Sequence, residues 1–297
     1  MMDIEIKSDA RVIRTALGFM IGASAFLAGT SIIAKALGID WENTEGLHAL
    51  QVSAGRFVFA CSALWLFVAI QPQRRPSFQN IHWRWHLCRS LFGWIGVSAM
   101  FAAVAHMPVA EATTISFLSP VVTMGLAVLM LGEMLTLRKI VAAMMALLGA
   151  VLILRPGTDA FQMVGLFAVA SAVFLGIEAI FIKRLSDREP ALQILLINNS
   201  IGASVAGSIA LFVWQWPSGG QWGLLVLLGL VMACAQAMFI QSMKRAEASL
   251  VIPAMYSILV FAAFYDFVLY EVVPDAIAAL GALLVVSGAI VLARQAR

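Results

Sequence analysis

The chain has 297 residues, 62% of them hydrophobic and only 12% charged, with a formal net charge of +3. A soluble domain averages about 45–50% apolar and about 25% charged residues, so this composition excludes a soluble globular enzyme, a disordered chain and a secreted disulfide scaffold. A helix that crosses a bilayer needs ~20 mostly apolar residues, which leaves room for about ten spans joined by short connections.

Ten apolar runs follow one another, at 16–36, 47–70, 87–107, 111–132, 139–154, 160–182, 191–213, 222–242, 248–270 and 274–293. None alternates with period two, so barrel strands are not expected. Helices satisfy their own backbone in hydrocarbon, and the expected fold is an all-α integral membrane protein. Lys7, Arg11 and Arg14 precede the first run, which is too long for a cleaved leader.

The second run carries Arg56 at its tenth residue, about 13–14 Å into a ~30 Å layer at ~1.5 Å per residue. A guanidinium there costs roughly 2.5–3.5 kcal/mol on insertion scales and calls for a partner. That partner is a substrate carboxylate, or, in the structural alternative, a protein group in a helix clamp. Between the second and third runs, His82 and His86 stand four apart among aromatics and cations. With no further ligand beside them they read as an interfacial turn rather than a metal site.

In the fourth run Thr113, Ser116, Pro120 and Thr123 form one helical stripe, which lines a cavity or serves close packing, because Pro120 frees a carbonyl. Ala142, Ala146 and Ala150 in the fifth run, and Gly281 and Gly288 in the tenth, are small contact residues, within the chain or between two copies of a homodimer. Asn198 and Asn199 lie in the seventh run at the depth of Arg56, and Gln236 in the eighth; Tyr256 and Ser257 are mid-depth in the ninth. Each bonds a substrate or ties two helices. The carboxylates in or beside spans are Glu111, Glu133, Glu178, Asp266 and Glu271. Glu133 and Glu271 close corresponding runs and read as gate or cap. Burial would let Glu178 or Asp266 carry protons. Cys61, Cys88 and Cys234 form no CxxC pair, and no resident cofactor or metal is expected.

With the N-terminus in the cytoplasm, 16 of the 19 cations fall on inner segments, leaving Lys35 and Arg155 outside and Arg56 within a span. Arg74, Arg75, Arg84 and Arg89 are assigned together to the second inner segment. This bias places both termini inside; a bacterial inner membrane is a separate expectation. Trp83 and Trp85 mark the inner edge; Trp214, Trp216 and Trp222 mark the outer.

The chain also repeats itself. Ala49-Leu50-Gln51 recurs as Ala191-Leu192-Gln193, Phe26-Leu27 as Phe174-Leu175, Lys35 and Leu37 as Lys183 and Leu185, and Gly149-Ala150 as Gly288-Ala289. Spans 1–5, in residues 1–157, therefore correspond to spans 6–10, in residues 158–297. Five is odd, so the second copy enters from the opposite side, and inverted repeats place a transport site near the midplane. Arg155-Pro156-Gly157 marks the join.

The stretch 106–157, with Ala110-Glu111-Ala112, Pro120 and Gly132-Glu133, resembles the fourth and fifth spans of the EamA family of drug/metabolite transporters. Pro253, Tyr256, Glu271 and Pro274 resemble the equivalent stretch, though Tyr270 stands where a Gly commonly precedes the Glu; Arg56-Phe57 resembles an Arg-Phe pair in the second span. The resemblance implies ten helices, alternating access and no ATPase domain. It also implies a small polar metabolite as substrate, with amino-acid or organic-anion export first and a riboflavin-like or nucleotide-like cargo second. Proton or ion coupling through Glu178 or Asp266 is one of two readings, the other being ordinary headgroup carboxylates. An integral-membrane enzyme is the competing class, but no HExxH, acidic metal cluster or Ser/His/Asp set shares one depth.

Overall fold

The computed structural model describes residues 2–38, 45–78, 80–104, 109–155, 165–271, 273 and 275–294; among them are helices, 3-10 turns and connections, and no strand. The acidic residues Asp40 and Glu42, the join at Pro156 and Gly157, and the side chain of Glu111 lie outside the described residues.

The helices are α1 (Met2–Gly38), α2 (Ala49–Ile70), α3 (Trp83–Val104), α4 (Val109–Ser116), α5 (Ser119–Leu131), α6 (Leu137–Leu154), α7 (Gly165–Ser186), α8 (Ala191–Ala210), α9 (Gly219–Arg245), α10 (Ala248–Val251), α11 (Ser257–Tyr270) and α12 (Ala276–Arg294). Among the described residues, nine segments are long and apolar enough to cross a membrane. The 22-residue α3 is not among these segments. Large apolar side chains point outward, Leu129 at 81% and Phe212 at 89% exposure. Such a surface suits lipid rather than water.

Local chemistry sets the boundaries. Thr136 caps α6 by accepting the Lys139 backbone N–H, so the helix starts two residues before the expected run. Ser218 and Gln221 form a capping box at the start of α9. The fourth span is two pieces. A proline ring clashes with the carbonyl four residues back; for Pro120 that is Ser116, the last residue of α4, and the chain turns through Phe117 and Leu118 before α5 begins. The ninth span is interrupted likewise, by a 3-10 segment Ile252–Tyr256 that holds Pro253. Gly132 ends α5 in the left-handed conformation at φ 71°. At the matching end of α11, where Tyr270 replaces the glycine, Glu271 adopts φ 55° instead, at roughly 1–2 kcal/mol for a non-glycine residue.

Contacts fix the helix directions. Gly22 faces Met238 and Gly29 faces Val231, so α1 and α9 are antiparallel. Gly93 meets Glu178 and Gly96 meets Leu175, so α3 and α7 are antiparallel as well. Helix α9 runs parallel to α2, with Gly55 on Leu225 and Gly229 on Phe59. Helix α8 opposes α2 through Gly202 on Phe57 and the Cys61–Ser200 contact of 3.4 Å. The four-residue connection after Ser186 turns α8 back against α7. Helix α7 therefore opposes α1.

Helices α6 and α12 meet backbone to backbone. A Cβ at Gly149 would lie 2.5 Å from the Gly281 carbonyl oxygen, and one at Gly281 would lie 2.7 Å from that of Gly149. Ala142, Ala146 and Ala150 are buried along the same seam, with Gly288 against the Ala142 carbonyl. The small residues are spent inside the chain.

Candidate functional site

Arg56, Arg89 and Glu178 form a cluster of charges inside the bundle. Arg89 is the seventh residue of α3, 4% exposed, with its Nε 3.8 Å from Glu178 Oε1 on α7. Arg56 on α2 is electrostatically coupled to the same carboxylate, and its guanidinium lies 4.4 Å from the Phe57 ring centroid. Arg56 Nε and Arg89 Nε and Nη1 are buried without a hydrogen-bond partner. Gly93 creates the space for Glu178: a Cβ there would come within 2.9 Å of its carboxyl carbon.

This corrects the assignment of Arg89 to an inner loop. The signal was present in the sequence, since Arg89 stands four and seven residues before Gly93 and Gly96, the two glycines that face α7. Residues three, four and seven apart share a helix face, which makes Arg89 part of the packed stripe.

The amides pair differently from their order in the chain. Asn199 is fully buried; its Nδ2 donates to Gln236 Oε1 and to the Leu195 carbonyl, each at 2.9 Å, and its Oδ1 is left without a partner. Asn198 is half-buried on the neighbouring face of α8.

The two helix breaks meet. Tyr256, fully buried, donates its hydroxyl to the Phe117 carbonyl (2.5 Å), and the two rings stack. Ser24 reaches the Met255 carbonyl at 3.3 Å from α1. Thr123 donates to the Ser119 carbonyl at 2.8 Å and approaches that of Gly176 at 3.4 Å, while Ser116 lies 3.5 Å from Ser171. Ser257 donates to the Ala254 carbonyl; Thr113 is half-buried. The Phe117 and Met255 carbonyls at the breaks thus find donors within the bundle, as an apolar surround requires.

The remaining carboxylates lie apart. Glu133, 9% exposed, accepts the backbone N–H groups of Ala248 and Ser249, each at 2.8 Å, and so joins the end of α5 to the start of α10. Beside it, Lys139 donates to Glu247, to the Met134 carbonyl and to Ser249. Asp266 and exposed Glu271 sit at the far end of α11. Arg155 pairs with Asp275 across the α6–α12 seam, and that hydrogen bond holds the Asp275 carboxyl below the usual range.

His82 and His86 do find a carboxylate, in the turn between α7 and α8. Glu189 Oε1 is 3.1 Å from His82 Nδ1 and Oε2 is 2.9 Å from His86 Nε2; the His82 backbone and Gln193 also donate. Each imidazole bonds its own oxygen, and among the described residues no group of three such side chains is set to hold a metal. The cluster is a latch between α3 and the α7–α8 turn. Burial opposes the Glu189 charge, but the donors from His82, His86 and Gln193 outweigh it and hold the carboxyl below its ordinary value. A depressed carboxyl contributes stability above its unfolded value that is lost as pH falls through the folded one. Glu189→Gln should therefore melt lower by the equivalent of about 1–3 kcal/mol at neutral pH. The gap to wild type should close below the normal carboxylate range, read by thermal unfolding in detergent across pH.

A chain whose described residues are mostly helical, with nine segments apolar and long enough to cross a bilayer, is a multi-pass membrane protein. The model of the EamA-like transporter family matches residues 14–155 and again 162–294. The chain belongs to the EamA-like transporter family. It is 24% identical to an S-adenosylmethionine uptake transporter of Rickettsia felis, over 92% of this chain and 90% of the relative. It is 27% identical to the pseudopaline exporter CntI of Pseudomonas aeruginosa, over 70% and 74%, and 28% identical to a riboflavin transporter of Vibrio cholerae, over 60% and 61%. A solved crystal structure shares the fold at a TM-score of 0.75 and 23% identity, covering 93% of this chain and 97% of the other.

Proposed function

We propose that the protein is a secondary carrier that exports a small carboxylate-bearing metabolite, an amino acid or related organic anion or zwitterion, by alternating access. The observation that carries this reading is Arg56, an intramembrane guanidinium whose Nε is buried and unfilled. A fixed, planar cation suits a carboxylate. The relatives named for S-adenosylmethionine and pseudopaline support a polar metabolite as cargo; one is named for uptake and the other for export, so the direction is this proposal's own. The riboflavin transporter keeps a vitamin or nucleotide-like cargo as the second reading.

The proposed architecture is ten spans in two inverted repeats, 1–157 and 158–297, with α3 as the third span beside the nine segments already described. Exchanging the halves turns the α1–α9 contact into α7–α3, and α5–α7 into α11–α1, and both members of each pair are present. The opposed directions of α1 and α7 support inversion. In this scheme Thr113, Ser116, Pro120, Asn198, Asn199, Gln236, Tyr256 and Ser257 surround the path. Glu111, Glu133 and Glu271 act at its ends, and Glu178 and Asp266 are the candidates for ion coupling. No second copy is required.

Reconstituted vesicles test the function. Flux of carboxylate substrates should saturate, and uncharged amide analogues should move far more slowly. Non-saturating flux would point to a channel, and equal flux of the amides would remove the role of Arg56. Reporter fusions after Gly46 and after Gly219 should read as external, with both termini cytoplasmic in a bacterial inner membrane; a cytoplasmic signal at either place overturns the topology.

A further inference from the structure

Three ionisable side chains share the interior, two of them basic and one acidic: Arg56, Arg89 and Glu178. Arg89 is the guanidinium in contact with the carboxylate, and Arg56 lies at longer range, within electrostatic reach of it. The contact between Arg89 and Glu178 compensates charge without bonding: 3.8 Å from Nε to Oε1 is beyond hydrogen-bond length. Arg89 Nε and Nη1 and Arg56 Nε consequently point donors at no acceptor. A carboxylate placed to serve these arginines for structural reasons alone would be expected to bond them at about 2.7–2.9 Å, often through both oxygens. Glu178 instead lies against the bare backbone of Gly93, and although α3 and α7 enclose it, its side chain keeps 25% exposure. It is close enough to neutralise and too loosely held to lock.

The two arginines approach from opposite ends. Arg56 is eight residues into α2 and Arg89 seven into α3, each about 9–11 Å from its helix start at ~1.5 Å per residue. In alternating helices those starts lie on opposite sides of the layer.

We propose that Arg56, Arg89 and Glu178 form an anion-exchange site, in which Glu178 stands in for a ligand carboxylate that displaces it and is then held by both arginines. The proposal rests on the reading of Arg56 as a substrate-binding residue and adds Arg89 as the second binding cation. It also gives Glu178 the role of internal competitor. The ligand class is a compound with one carboxylate free to take two guanidinium donors.

The probes are acetate and acetamide, of matched size and different charge, titrated into the purified full chain in detergent while thermal unfolding is followed. Acetate should stabilise wild type more than acetamide does. Glu178→Gln removes the competitor, and the apparent acetate affinity should rise by about tenfold if the arginines are free a tenth of the time in wild type. Gly93→Ala pushes the carboxylate off its seat and should act in the same direction. Arg89→Gln, alone or with Glu178→Gln, should remove the preference for acetate, leaving the effect of ionic strength. An unchanged acetate preference in Glu178→Gln and Gly93→Ala overturns the proposal, as does unfolding of both, which a structural clamp requires. If Arg56→Gln removes the preference and Arg89→Gln does not, the carboxylate reading of Arg56 stands and the exchange site fails. If neither removes it, both fail.

Discussion

Arg56→Gln should lower transport of carboxylate substrates by roughly a hundredfold, the equivalent of about 3 kcal/mol for losing one partner of a buried charge pair. The glutamine keeps polarity and much of the volume, but neither charge nor fork. Arg89 still compensates Glu178 in the variant, so the bundle should insert and melt close to wild type. Arg56→Lys retains the charge and should keep partial activity, because an ammonium binds a carboxylate as a point charge without the planar match. Vesicle transport measured beside expression and melting decides between the two uses of the residue. Wild-type flux through the Gln variant would end the substrate-binding role, and a variant that cannot fold would make Arg56 a helix clamp.

The second large effect is on stability and lies far from the charges. Gly149→Ala places a methyl 2.5 Å from the Gly281 carbonyl oxygen and 3.0 Å from the Val285 backbone nitrogen. Those are backbone atoms of a packed helix and cannot rotate away, so α6 and α12 must separate. Overpacking of this kind costs about 1–3 kcal/mol, and more where backbone must shift. Gly281→Ala meets the reciprocal contact at 2.7 Å. The double variant should cost less than the sum of the two, because the first separation makes room for the second methyl. Gly125→Ala is the control: nothing lies within 4 Å of a Cβ there, and helix propensity should make the change neutral or favourable by up to about 1 kcal/mol. Thermal unfolding of the four proteins in detergent checks the order. A Gly149→Ala protein as stable as wild type would mean the seam is not as close as described.

Composition alone carried the class, since a chain 62% hydrophobic with helix-length runs has no stable alternative to spanning a bilayer with helices. Proline chemistry carried the break in the fourth span, because the clash of Pro120 with the carbonyl of Ser116 is local and acts whatever surrounds it. The small-residue stripes of α6 and α12 announced a close contact, and the Arg56 depth announced a charge in need of a partner. In each case the cause lies within one or two helical turns, so the order of residues is sufficient to see it.

Partners were another matter. Arg89 looked like one more cation beside an inner loop until the packing of α3 on α7 brought it to Glu178, 89 positions away in the chain. His82 and His86 lacked a carboxylate until the α7–α8 turn delivered Glu189, and Asn199 rather than Asn198 met Gln236. Tyr256 found its acceptor at Phe117 only because the two broken spans cross near each other. These pairings depend on which helix faces meet and at what height. A rotation of 100° per residue and a shift of 1.5 Å are enough to exchange one neighbour for the next. An apolar run looks nearly the same from every side, so the run establishes that a helix crosses the membrane, while tertiary packing decides which of its few polar residues faces which partner.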